Sequence, residues 1–176
     1  MTEPTRKTAI QNAWVVNDIE TAARQWSETL GIGPFFIGQY SNKVFESLEY
    51  RGSEGTLDMT TAIAFSGDIQ IELIEPKGSA PSAYRDIYES GETGFHHLCF
   101  WSDDIDADLA HYASLGCEAA NVGKMRNGPR FAYVDAWERS GCMIELLEYV
   151  EPLARLFDSW REANESWDGN NPIVRL

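Results

Sequence analysis

Apolar positions along this chain switch between two periods, and the switch occurs twice in the same order. Residues 9–17, AIQNAWVVN, are apolar and β-branched enough for a strand. Asp18 then stands where a helix N-cap belongs, with Glu20 in the first turn. Ile19, Ala22, Ala23, Trp26 and Leu30 follow at helical spacing until GIGP stops the helix. From His97, HLCFWSDDIDADLAHYASLG repeats these signals: an apolar strand, Asp104 as cap, Ile105, and a helix closed by Gly116. Laid on one another, Gln11 falls on His97, Asp18 on Asp104, Ile19 on Ile105 and Trp26 on Tyr112. A one-residue slip then brings Gly31 to Gly116.

A second anchor closes each half. GDIQIELIEP (67–76) and SGCMIELLEY (140–149) both carry a turn residue followed by Ile-Glu-Leu. Between helix and IEL strand, the first half has room for strands at 43–50 and 57–66, separated by RGSEG. In the second half FAYVD (131–135) is the clearest strand, after the loop KMRNGPR, and the middle strand is weakly marked. Each half therefore reads as β-α-β-β-β, and an internal repeat constrains the architecture more than any single element. The expected fold is α+β: modules at 8–76 and 94–150 share one domain over 8–150 and form a cupped mixed sheet. Residues 151–176 add a C-terminal helix and tail. In that helix Pro152 suits a first helical position. Leu153, Leu156, Phe157 and Trp160 form an apolar stripe, read as packing for a sheet face or a subunit contact.

Charge narrows the partners. Against 28 acidic residues stand 14 basic ones, a net of −14, which repels phosphate backbones and anionic membrane surfaces. The first ten residues carry no apolar signal core, and no stretch approaches the ~20 apolar residues of a membrane helix. Cys99, Cys117 and Cys142 form no CxxC pair and read as buried free thiols, which places the protein in the cytoplasm.

Each IEL segment sets a glutamate inside an apolar strand, where an isolated carboxylate must face water, pair with a cation or hold a metal. Alternation points Glu72 with Gln70 and Ile74 and turns Glu75 to the other face; likewise Glu148 points away from Glu145. Taken singly, such glutamates usually sit on a solvated face. The repeat makes Glu72 equivalent to Glu145 and Gln11 equivalent to His97. A pseudo-twofold axis could therefore gather one imidazole nitrogen and three oxygens, a set suited to one divalent ion such as Zn²⁺, Ni²⁺, Co²⁺ or Mn²⁺. His96 reads as a support for His97 or as packing, and His111 as a surface helix residue.

The two-module pattern, LGIGPFF (30–36), IELIEP, GFHHLCF (94–100) and IELLE resemble the vicinal oxygen chelate superfamily, which includes glyoxalase I, methylmalonyl-CoA epimerase, extradiol dioxygenases and antibiotic-resistance proteins. The resemblance implies metal ligands at Gln11, Glu72, His97 and Glu145, a set similar to that of the glutamine-bearing glyoxalase I enzymes. One matched histidine weakens an Fe(II) dioxygenase reading, which calls for two histidines and one carboxylate. The nearest likeness is to epimerase-like and glyoxalase-like members, which implies a metal-dependent isomerase or lyase. Such an enzyme abstracts a proton alpha to the carbonyl of a small compound through a metal-bound enolate. Glu145 is then the first candidate base, and Asp58 a second by approximate position. Phe35, Phe36, Phe45 and Trp101 are candidate walls of an apolar cleft, and Arg126 and Arg130 candidate anchors for a substrate anion. The acidic balance counts against a coenzyme A thioester. A non-catalytic binder of an aromatic or antibiotic-like ligand is the alternative. A homodimer is expected, because these folds often pair and the C-terminal stripe seeks a partner.

Overall fold

The computed structural model describes residues 7–176. Strand β1 (Ala9–Val15) turns Gln11, Ala13 and Val15 inward and leaves Asn12 and Trp14 half-buried on the other face. Helix α1 (Ile19–Leu30) covers that second face, with Trp26 edge-on to Trp14 at 4.8 Å between ring centroids. The Asp18 carboxylate accepts from the Thr21 N–H at 2.7 Å. At the other end Gly31 takes a left-handed φ of 69° and donates to the Ser27 carbonyl, a conformation that suits glycine. Strand β2 (Phe35–Tyr40) follows, then β3 (Phe45–Tyr50), the short β4 (Ser53–Glu54), β5 (Met59–Ser66) and β6 (Ile69–Pro76). A short helix α2 (Ala83–Ile87) leads to the second half.

There β7 (Gly94–Ser102), α3 (Ile105–Ser114), β8 (Ala119–Met125), β9 (Arg130–Val134), the one-turn α4 (Trp137–Ser140) and β10 (Met143–Glu148) repeat the plan. Asp104 caps α3 through the Ala107 N–H. Helix α5 (Glu151–Glu165) and strand β11 (Ile173–Arg175) complete the chain.

All eleven strands belong to one mixed sheet, ordered β11-β2-β5-β6-β1-β7-β10-β9-β8-β3-β4. The antiparallel β1–β7 pair lies at its middle, flanked by the parallel pairs β1–β6 and β7–β10, so the halves meet strand for equivalent strand. The α+β fold with two βαβββ modules and a C-terminal helix holds, with one correction. The first module's second strand is β2, in a segment given no strand above, whereas the expected strand at 43–50 is β3. It leaves its own module to pair with β8 at the far end of the second.

The stripe on α5 covers this chain's own sheet. Trp160 stacks on Phe36 at 5.0 Å and Phe157 on Trp101 at 5.8 Å. The Asn164 side chain accepts from the Phe65 N–H and donates to the Pro34 carbonyl. Of the stripe, Trp160 is buried, Leu153 and Phe157 are half-buried and Leu156 stays exposed. Among the described residues no helix is long and apolar enough to cross a membrane. The three cysteines are buried and free, as expected.

Candidate metal centre

The register of the central strands sets the site. Across the sheet, Gln70, Gln11, Cys99 and Glu145 form one row, and Glu72, Ala13, His97 and Met143 the next. All point inward because strand neighbours two apart share a face. Gln11, Glu72, His97 and Glu145 are therefore brought together from the first and last strands of both halves. His97 Nε2 lies 3.1 Å from Gln11 Oε1, 3.0 Å from Glu145 Oε2 and 3.6 Å from Glu72 Oε2. His97 is fully buried and each glutamate is 8% exposed. Burying one large apolar side chain gains roughly 1.5–3 kcal/mol, whereas each unpaired buried charge costs several kcal/mol. Two carboxylates here thus call for a positive partner, and among the described residues neither pairs with a lysine or arginine.

Burial, and then the charge of Glu145, hold the Glu72 carboxyl well above the usual carboxylate range. The same two causes keep the Tyr133 phenol protonated far past its ordinary value. Tyr133 pairs with Glu145 in register, sets its ring 5.1 Å from that of His97, and meets the Tyr84 hydroxyl at 2.8 Å.

Two neighbours aim the ligand atoms. The Gln11 amide donates to Gln70 Oε1, which leaves the Gln11 carbonyl oxygen turned to the cluster; Gln70 Nε2 has no partner among the described residues. His96 Nε2 lies 3.0 Å from the Ala83 carbonyl and His96 Nδ1 lies 3.0 Å from His97 Nδ1. A carbonyl can only accept, so His96 carries its proton on Nε2, and burial pushes its pKa down to about 3, which keeps it neutral. His96 Nδ1 is then the acceptor, His97 donates from Nδ1, and the lone pair of His97 Nε2 faces three oxygens. Lone pairs facing lone pairs repel unless a cation or proton stands between them.

The residues fit a divalent ion. Ligand atoms of Glu72, His97 and Glu145 all lie within 4.8 Å of one another. Bonds of ~2.1 Å imply neighbouring ligands ~3.0–3.4 Å apart; Gln11 at 3.1 Å and Glu145 at 3.0 Å from His97 Nε2 fall in that range and Glu72 at 3.6 Å just beyond it. Oxygen donors with one imidazole suit Zn²⁺, Ni²⁺, Co²⁺ or Mn²⁺. Replacing His96 by Phe leaves His97 Nδ1–H without its acceptor and is expected to lower metal affinity 10–100-fold. Isothermal titration with Zn²⁺ checks this, and unchanged affinity would remove His96 from the site.

An apolar cavity of about 160 Å³ opens above the cluster, with Phe45, Phe131, Phe157 and Trp160 among its walls. Of the expected wall residues only Phe45 lines it. Phe36 and Trp101 stand behind α5 residues, and Phe35 packs with Ile19 and Ala23 of α1. Three further candidates are placed elsewhere. Asp58 is exposed, accepts from the Asn42 N–H and does not line the cavity. Arg130 is held by Asp106 through both guanidinium nitrogens, and Arg126 donates to the Lys43 carbonyl; neither reaches the cavity. Glu75 and Glu148 point away, as alternation predicts, and accept from the Ile19 and Arg130 N–H groups. Gln70 and Tyr133 escaped the sequence reading as site residues, whereas His96 takes the supporting place beside His97 that was one of its two readings. His111 is exposed.

The family model described as the Glyoxalase/Bleomycin resistance protein/Dioxygenase superfamily matches residues 10–133. The chain belongs to this superfamily. No curated protein matches it significantly. A hypothetical protein from Bacillus halodurans C-125 superposes with a TM-score of 0.56 at 18% identity, over 84% of this chain and 97% of its own. Methylmalonyl-CoA epimerase from Mycobacterium tuberculosis gives 0.55 at 18%, over 88% and 97%. A variant of the Streptomyces coelicolor methylmalonyl-CoA epimerase, in complex with 2-nitronate-propionyl-CoA, gives 0.52 at 19%, over 83% and 97%. At such identities these proteins share the fold with this chain.

Proposed function

We propose that this protein is a metal-dependent isomerase or lyase that acts on a small carbonyl compound by abstracting its alpha proton. The supporting observation is the convergence of Gln11, Glu72 and Glu145 on His97 Nε2 at the floor of an apolar cavity. These four residues would hold one divalent ion. When bound, such an ion supplies Lewis-acid polarisation of a carbonyl oxygen, which makes the adjacent C–H acidic.

The chain's own residues do the rest. Glu145 accepts the alpha proton on a carboxylate oxygen while the C–H electron pair moves toward the carbonyl. Return of a proton to the same or the neighbouring carbon completes an isomerisation. Glu145, which then carries the proton, is placed to return it, while Glu72 would stay a carboxylate ligand of the ion. Tyr133 stays a protonated donor beside the cluster.

The test is deuterium exchange at the alpha carbon of a panel of α-hydroxy ketones with the Zn²⁺-, Ni²⁺-, Co²⁺- or Mn²⁺-loaded protein. Exchange is expected with at least one ion and lost on chelation. The apolar cavity also supports a second reading, a non-catalytic binder of an aromatic ligand. Ligand binding with no exchange under any metal would favour it over the enzyme.

A further inference from the structure

The reacting end of a substrate is set by the cluster, and its other end must fit what lies above. The cavity measures about 160 Å³, close to the ~150 Å³ of a dry cavity that admits one benzene-sized molecule. Its walls bring Phe45, Ile63 and Phe131 from the sheet against Leu156, Phe157 and Trp160 from α5. Among the described residues the only charged ones that line it are Glu72 and Glu145. A divalent ion would be balanced by these two carboxylates and leave no surplus positive charge for an anionic substrate. The four arginines adjacent in sequence to the cavity wall are engaged elsewhere, Arg130 with Asp106, Arg126 with the Lys43 carbonyl, Arg155 with Glu151 and Arg161 with Asp158. A phosphate or carboxylate in the cavity would thus be an uncompensated buried charge, at a cost of several kcal/mol.

The roof is built in rather than added on. Asn164 ties α5 to β5 and to Pro34, and the Phe36–Trp160 and Trp101–Phe157 stacks hold its apolar face down.

We infer that the substrate is a neutral molecule with a carbonyl at one end and a single ring, or a branched alkyl group of that size, at the other. It is not a coenzyme A ester or a sugar phosphate. This rests on the carbonyl reading above for the reacting end, and on the cavity alone for the other end.

Four probes test it: 2-hydroxyacetophenone, its 4-carboxylate, hydroxyacetone and methylmalonyl-CoA, each titrated against intrinsic tryptophan fluorescence. Trp160→Phe identifies the cavity's share of the signal. The neutral ring is expected to bind at least about tenfold tighter than either its carboxylate or hydroxyacetone, and methylmalonyl-CoA to give no saturable change. Leu156 is 42% exposed, so Leu156→Arg adds a cation to the wall without emptying the core. This variant should gain affinity for the carboxylate by about tenfold. Methylmalonyl-CoA or the carboxylate binding the parent protein as tightly as the neutral ring would overturn the inference. The two readings separate cleanly. Ring binding in the expected order without exchange keeps the inference and removes the isomerase or lyase. Hydroxyacetone exchange without ring binding removes the inference and keeps the enzyme.

Discussion

Glu145→Gln is expected to slow alpha-deuterium exchange by the metal-loaded protein ~10²–10⁴-fold, the usual loss with a positioned general base. The substitution keeps the side chain's size and one oxygen for the cluster, so the fold and metal content should stay near those of the parent. What disappears is the capacity to take a proton at neutral pH. Because the charge of Glu145 helps to raise the Glu72 pKa, the variant should also hold Glu72 with a lower proton affinity. Glu72→Gln is the matched control, since it removes the other carboxylate from the same cluster and should cost much less in exchange. The measurement is exchange rate at saturating metal, with metal content determined on the same samples. If Glu145→Gln exchanges at the parent rate, Glu145 is not the base; an inactive Glu72→Gln in the same series would transfer the role to Glu72.

The four clustered residues were legible because two periodicities agreed. The repeat paired Gln11 with His97 and Glu72 with Glu145, and strand alternation put each pair on one face. What stayed hidden depends on strand register, which no local pattern records. Ala13 pairs with His97 but Trp14 pairs with Phe95, so His96 is an extra residue in a β-bulge. Bulges re-aim side chains, and this one lets adjacent histidines touch although ordinary alternation would part them. Ile10 sits in the matching bulge of β1, so the repeat extends to this irregularity. Cys99, two positions after His97, was placed by alternation all along, yet its apolar neighbours made it read as a core thiol. Asp58 misses the cavity for the opposite reason: its position ahead of an inward strand is right in sequence, but it lies before β5 begins and turns out to the Asn42 N–H.

The fold was legible to the same depth. Caps, helices and IEL strands were local signals and appear where expected. Strand β2 was obscured by GIGP on one side and Gly38 within it, since glycine weakens a strand pattern. The exchange of β3 into the other half is a tertiary choice, and strand preference depends on such context. The α5 stripe shows the limit of amphipathicity: it announces a buried face but not what covers it. Here the cover is Phe36, Trp101 and the cavity itself.

Withdrawing the metal is expected to make stability fall as pH rises, and restoring it to reverse that slope. In the metal-free protein burial and the charge of Glu145 hold the Glu72 carboxyl well above its ordinary value. A group whose pKa is higher in the folded than in the unfolded chain binds more protons when folded. Its contribution is complete below the unfolded pKa, about 4.3 for glutamate, and is lost as pH climbs through the folded value. Metal acts in the opposite sense, because ligands must be deprotonated and binding releases their protons. Zn²⁺ at a thousand times its Kd would add ~4.1 kcal/mol, roughly 8–16 °C in Tm for a chain of this size. Scanning calorimetry from pH 5 to 8 should therefore show a metal-free Tm that declines and a gap to the loaded protein that widens. In Glu72→Gln the metal-free decline should flatten, because the proton that caused it has gone. Parallel curves with and without Zn²⁺ would mean that the ion does not bind through these carboxylates, and the metal centre would fall with them.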